Sequence, residues 1–153
     1  MEQTYQIQSI VLADDDKDHA LVFGRVLKKD YPQIHVSYVS NAEELLTFLH
    51  EHQTDLLFLD LNMPCKNGYE CLREIRKDPT LKDLPIIVYS SSAHLSDIQK
   101  SFIHRADFYV VKPFNSEHLK TALQTILSVN WRVNPMRNHY FINNRFVPFT
   151  ASA

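Results

Sequence analysis

Leu56-Leu57-Phe58-Leu59 is an unbroken apolar run that ends on a carboxylate, Asp60, and is followed by Leu61-Asn62-Met63-Pro64. A short continuous apolar run bounded by turn residues fits a strand buried on both faces. Such a strand needs cover above and below, which points to a parallel sheet between helical layers. Asp60 sits where this strand should end. A carboxylate there is costly unless something pairs it. What pairs Asp60, and why an acid stands there, are therefore the questions that bear on function.

The flanking sequence repeats the same pattern. Ile7 to Ala13 reads as a strand running into Asp14-Asp15-Asp16. Asp16 suits the cap of a helix over about Lys17 to Lys29, with Ala20, Leu21, Phe23, Val26 and Leu27 inward. Ile34 to Val39 alternates apolar and polar residues, as an edge strand does. Ser40 or Asn41 caps a helix that buries Ala42, Leu45, Leu46 and Leu49. After the central strand, a helix from about Tyr69 to Lys77 stops at Asp78-Pro79. Leu84 to Tyr89 is another buried strand, and a short helix starts at Ser96 or Asp97. Phe108 to Val111 is a fifth strand, and a last helix runs from an Asn115 or Ser116 cap to about Val129.

Five strands alternating with five helices predict an α/β fold, a parallel sheet with helices on both faces. Residues 1–130 are expected to form this one domain, with no output domain attached. Residues 131–153 form an aromatic tail with Trp131, Tyr140, Phe141, Phe146 and Phe149 and no helical period. The tail is expected to pack Trp131, Phe141 and Phe146 on the domain's own surface; the alternative is an added strand or arm that mediates dimerisation.

Composition removes several function classes. With 153 residues, 44% of them hydrophobic, the chain can bury a full core. A net charge of -2 gives no basic field for nucleic acid. No apolar run approaches the roughly 20 residues of a membrane span, and Met1 to Tyr5 does not open a signal peptide. Cys65 and Cys71 fit a reduced, cytoplasmic protein, and their spacing is wrong for zinc. The eight histidines, including His50 and His52, read as solvated.

Ligands of open α/β sheets bind beyond the carboxyl ends of the strands. That edge collects Asp14 and Asp15, then Asp60, Ser90 and Ser91, and Lys112. Taken singly, each has an ordinary reading: Asp14-Asp15-Asp16 as a helix-start cluster, Ser90-Ser91-Ser92 as a loop, Lys112-Pro113 as a strand exit. Together they place three mutually repelling carboxylates opposite a lysine. A hard divalent cation relieves that repulsion, and Mg²⁺ keeps open positions for phosphate oxygens. The set suits a phosphoryl group, with a carboxylate to receive it and a cation, a lysine and a hydroxyl to hold its oxygens.

The motifs Val11-Leu12-Ala13-Asp14-Asp15, Leu59-Asp60-Leu61-Asn62-Met63-Pro64 with Gly68, Ile87-Val88-Tyr89-Ser90, and Tyr109-Val110-Val111-Lys112-Pro113-Phe114 resemble the receiver domain of two-component response regulators. The resemblance spans about residues 7–129 and is to a stand-alone, chemotaxis-type receiver. It implies a flavodoxin-like sheet of order 2-1-3-4-5. It implies Asp60 as phosphoacceptor, Asp15 as a direct Mg²⁺ ligand, Asp14 orienting it and the Asn62 carbonyl as a further ligand. Lys112 and Ser90 would contact the phosphoryl group, and Ser90 with Tyr109 would form the switch. Pro64 and Gly68 would shape the loop after Asp60, Gly68 through unusual backbone angles. His94, Ile98, Phe108 and Tyr109 would mark the output face.

The implied partners are a histidine kinase or phosphotransfer protein and a downstream protein, with the chain a monomer or homodimer. Ser90 in place of threonine, Tyr89 before it, and Arg105 where a glycine often stands are departures from the family pattern. An aspartyl-nucleophile phosphatase is disfavoured, because Asn62 cannot serve as the general acid expected two residues after the nucleophile. A receiver-shaped scaffold that no longer phosphorylates is disfavoured by the intact acid set.

Overall fold

The computed structural model of the protein describes residues 6–63, 67–131, 133 and 138–150. Its elements are β1 (Ser9–Ala13), α1 (Lys17–Asp30), β2 (His35–Val39), α2 (Ala42–Glu51), β3 (Leu56–Leu59) and α3 (Gly68–Lys77). They continue as β4 (Ile86–Ser90), α4 (Leu95–Ile103), β5 (Phe108–Val111), α5 (Ser116–Ser128), β6 (His139–Ile142) and β7 (Arg145–Pro148). The described strands form one sheet of order β2-β1-β3-β4-β5-β6-β7. The first five carry the expected 2-1-3-4-5 order, all parallel. No described helix is long and apolar enough to cross a membrane.

Side-chain alternation sorts the core into two layers. Ile10 and Leu12 of β1, Phe58 of β3 and Phe108 of β5 face α1 and α5, where Phe23, Leu27, Leu119 and Leu123 cover them. Val11 and Ala13, Leu57 and Leu59, and Val88 face α2, α3 and α4, where Leu45, Leu72, Ile75 and Ile98 close the layer. Leu21 departs from its expected place. It is exposed, and the inward stripe of α1 runs through Phe23 and Leu27.

Local caps hold the helix starts where the strand ends need them. The Asp16 carboxylate accepts from the Asp18 and His19 amides, Asn41 from Glu44, Asn67 from Glu70 and Asn115 from His118. Helix α4 begins one residue earlier than expected, and its cap His94 makes no side-chain capping bond.

The tail is where the structure adds most. Strand β6 pairs parallel with β5 and β7 folds back on it antiparallel, through a two-residue turn at Asn143 and Asn144. Both asparagines have positive φ, 50° and 60°, as a tight hairpin turn of this length requires. Phe141 is fully buried, Phe146 stands 6.1 Å from Phe108, and Trp131 donates from Nε1 to the Ile126 carbonyl. Trp131, Phe141 and Phe146 therefore pack on the domain's own surface, and the segment also adds strands to the sheet. Phe146→Ala is expected to lower stability by about 1–2 kcal/mol, since the ring is only partly buried. Chemical denaturation monitored by far-UV circular dichroism would measure it, and no loss would mean the hairpin is not docked.

Candidate functional site

The site is built at the carboxyl ends of β1, β3, β4 and β5. Asp14 follows the last residue of β1, and its amide donates to the Val39 carbonyl. Asp60 follows β3, and its amide donates to the Ala13 carbonyl at 2.9 Å. The sheet ladder thus sets two carboxylates side by side, both more than nine-tenths buried, while the neighbouring Asp15 is exposed. One oxygen from each of Asp14, Asp15 and Asp60 lies within 4.8 Å of the others.

Lys112, directly after β5, enters this cluster from the opposite side. Its Nζ lies 2.7 Å from Asp14 Oδ2, 3.1 Å from Asp60 Oδ2 and 2.9 Å from His19 Nδ1. It also sits 5.4 Å from the centre of the Tyr89 ring, a cation–π distance. Asp60 Oδ1 accepts from the Asn62 amide at 3.0 Å, and Asp14 Oδ1 from the Asp16 amide at 2.9 Å. Burial pushes the Asp14 carboxyl above its usual value; the Lys112 contact offsets part of that rise, and the Asp60 charge adds to it. Burial also raises the Tyr89 hydroxyl, followed by the charges of Asp14 and Asp60.

Three carboxylate oxygens this close, with one lysine between two of them, still carry excess negative charge. That donor set fits a hard divalent cation: oxygen-only, few in number and open on the Asp15 side.

Gly68 has a different role from the one expected. No glycine has positive φ, and Gly68 is the first residue of α3. Its amide donates to the Leu61 carbonyl at 2.9 Å. A Cβ there would lie 2.5 Å from Leu61 Cα and 2.9 Å from the Asp60 carbonyl oxygen. The position needs glycine for close approach of helix to loop, not for unusual angles. Pro64, expected to shape the same loop, and Cys65 lie outside the described residues.

Ser90, the last residue of β4, is fully buried, and its Oγ accepts from the Ser92 amide. Tyr109 is buried as well, pointing inward, with its hydroxyl donating to the Ser92 carbonyl at 2.8 Å. A polar cluster that the residue pattern did not disclose continues from there. Ser92 Oγ donates to Asp97 Oδ2 at 2.6 Å, and Tyr69 donates to Asp97 Oδ1 at 2.8 Å. These bonds, the Ser92 one foremost, hold the Asp97 carboxyl below its usual value. The cluster ties the β4–α4 loop to α3 and α4.

One expectation changes. Of the residues assigned to an output face, Ile98, Phe108 and Tyr109 are core and only His94 is exposed. Ile98 and Tyr109 belong to one core layer and Phe108 to the other, and β6 pairs along the β5 edge in the register Tyr109 with Tyr140. The histidines are solvent-accessible as expected, none of them buried, though three have close neighbours. His19 meets Lys112, His50 Nε2 lies 2.5 Å from Asp78 Oδ2, and His52 stacks on Phe48 at 4.1 Å.

A doubly wound sheet with a buried aspartate, paired acids and a lysine at its carboxyl edge defines a class, the phosphoacceptor signalling module rather than a conventional enzyme. The family model for the response regulator receiver domain matches residues 10–124, and the chain belongs to that family. It is 30% identical over 125 residues to the chemotaxis protein CheY of Pseudomonas aeruginosa, covering 82% of this chain and 98% of CheY. It is 34% identical over 119 residues to the transcriptional regulatory protein MalR of Bacillus subtilis, covering 75% of this chain. That match spans about half of MalR, 48%. Among solved structures, the phosphorylated cyanobacterial phytochrome response regulator RcpA is 31% identical with a TM-score of 0.72, over 78% of this chain and 91% of RcpA. The Mn²⁺-bound response regulator Rcp1 is 25% identical with a TM-score of 0.73, over 80% and 96%.

Proposed function

We propose that Asp60 accepts a phosphoryl group from a phosphohistidine on a histidine kinase or phosphotransfer protein. The observation that carries this reading is the clamped geometry of Asp60. Its Oδ1 is held by the Asn62 amide, and its Oδ2 faces Lys112 beside two further acids. In the transfer, a carboxylate oxygen of Asp60 forms the new bond to phosphorus as the nitrogen–phosphorus bond breaks. The imidazole leaves with that electron pair and takes up a proton, and an acyl phosphate remains.

Asp14, Asp15, Asp60 and the Asn62 carbonyl would hold Mg²⁺, which supplies neutralising charge for the phosphoryl oxygens. Rcp1 was crystallised with Mn²⁺, which supports a divalent ion in this class of pocket. Lys112 moves its Asp60 hydrogen bond to a phosphoryl oxygen. The Ser90 hydroxyl turns from the Ser92 amide towards another, and the Ser90–Tyr109 pair passes the change to the β4–α4 loop. The match across nearly all of CheY supports residues 10–124 as a sufficient signalling unit acting on a downstream protein.

Incubating the chain with acetyl phosphate tests the reading. Labelling is expected with excess Mg²⁺, to fall to background with a chelator, and to return when Mg²⁺ is restored. Labelling that ignores the chelator would contradict a metal-assisted transfer.

A further inference from the structure

We infer that His19 is a positioning residue for Lys112 and sets the rate at which Asp60 is phosphorylated; this rests on the function proposed above. His19 lies in the first turn of α1, and its backbone amide is tied to the Asp16 carboxylate at 3.1 Å. That bond fixes where its ring can reach. The ring Nδ1 stands 2.9 Å from Lys112 Nζ and 3.5 Å from Asp16 Oδ2.

An ammonium has three N–H groups and no lone pair, so it only donates. Lys112 has three close acceptors: Asp14 Oδ2, Asp60 Oδ2 and His19 Nδ1. The imidazole must therefore present its Nδ1 lone pair to the lysine and carry its proton on Nε2. Two of the three acceptors belong to the acidic cluster. His19 is the one contributed by α1, from outside it.

This matters at the moment of transfer. The Lys112 bond to Asp60 Oδ2 has to pass to a phosphoryl oxygen. With only Asp14 remaining, the ammonium could swing about that single contact. With His19 as a second anchor on another element, it stays aimed at Asp60. Preorganised charge of this kind is effective because it need not reorganise during reaction. His19 and Lys112 also share the wall of an open cavity of about 630 Å³ with Tyr89 and Phe114, on the side where α1 meets the β5–α5 loop.

The variants His19→Phe and His19→Asn separate an aiming role from a packing role. Phenylalanine keeps the ring and loses the acceptor; asparagine places an oxygen close to where Nδ1 stood and loses the ring. With the full chain, acetyl phosphate and excess Mg²⁺, His19→Phe is expected to slow labelling roughly tenfold. His19→Asn is expected to restore it to within about twofold, with similar thermal midpoints for all three proteins. Equal rates for His19→Phe and the parent, or equal slowing by both variants, would overturn the inference.

Ring-nitrogen chemical shifts of His19 give a second readout that needs no phosphorylation. They should report an unprotonated Nδ1 that shifts in Lys112→Met. A signal indifferent to Lys112→Met would also overturn the proposal. A parent that binds Lys112 to His19 but never labels would instead count against the phosphoacceptor reading.

Discussion

Arg76→Leu is expected to destabilise the protein by about 3–5 kcal/mol, the cost of breaking a buried ion pair. The guanidinium donates from Nη2 to Asp107 Oδ2 at 2.9 Å, with both side chains largely removed from solvent. It also donates from Nε to the Arg105 carbonyl and from Nη1 to the carbonyls of Lys82 and Leu84. Asp107 Oδ2 in turn accepts from the Ile86 amide at 2.8 Å. One side chain of α3 therefore ties together the start of β4, the approach to β5 and the end of α4. Leucine can fill much of the volume but satisfies none of these groups. Typical domains have about 5–15 kcal/mol in all, so the loss is a large share. Urea denaturation should show a lower midpoint at an unchanged slope. A loss below about 1 kcal/mol would mean that the pair and its carbonyl contacts contribute far less than their burial implies.

Asp60→Asn is expected to abolish labelling by a small phosphodonor while leaving the fold intact. The amide cannot form the acyl phosphate under these conditions, and no other described carboxylate is both buried and clamped by Asn62 and Lys112. Lys112 keeps Asp14 and His19, so its ammonium remains paired. The substitution also removes one negative charge from a crowded cluster, which is part of what pushes the Asp14 carboxyl upward. The thermal midpoint should therefore stay level or rise. A drop of several degrees would show that Asp60 is needed for the fold itself.

How much of this was legible in the sequence differs by residue. Leu56 to Leu59 announced a doubly covered strand because burial on both faces leaves no alternation to blur the signal. Asp14, Asp15, Asp60 and Lys112 could be gathered because each directly follows or lies near a strand end, and a parallel sheet brings those ends to one edge. His19 could not, because a histidine within a helix shows its neighbours only once α1 is docked against α5, close to Lys112. Arg76 hid for a similar reason. A basic residue in the last turn of a helix ordinarily reads as solvated, and its carbonyl partners lie on distant loops.

The hairpin was in principle readable. Asn143-Asn144 between Tyr140-Phe141-Ile142 and Phe146-Val147 is a turn signal flanked by strand formers. Its pairing with β5 was not, because nothing local states which edge a hairpin joins. Arg105 is instructive too. Its φ of 67° falls in the left-handed region, where glycine meets the least steric cost, so the departure from the family pattern noted at this position has a backbone consequence.

The central claim is that Asp60 carries the phosphoryl group, and trapping the modified residue tests it most directly. The chain should be labelled with acetyl phosphate and Mg²⁺ and reduced with borohydride, which converts an aspartyl phosphate to homoserine. Peptide mass spectrometry should then find homoserine at position 60 and aspartate at positions 14 and 15. Homoserine at either of those two positions, or a phosphoryl group on Ser90 or a histidine with Asp60 unmodified, would contradict it.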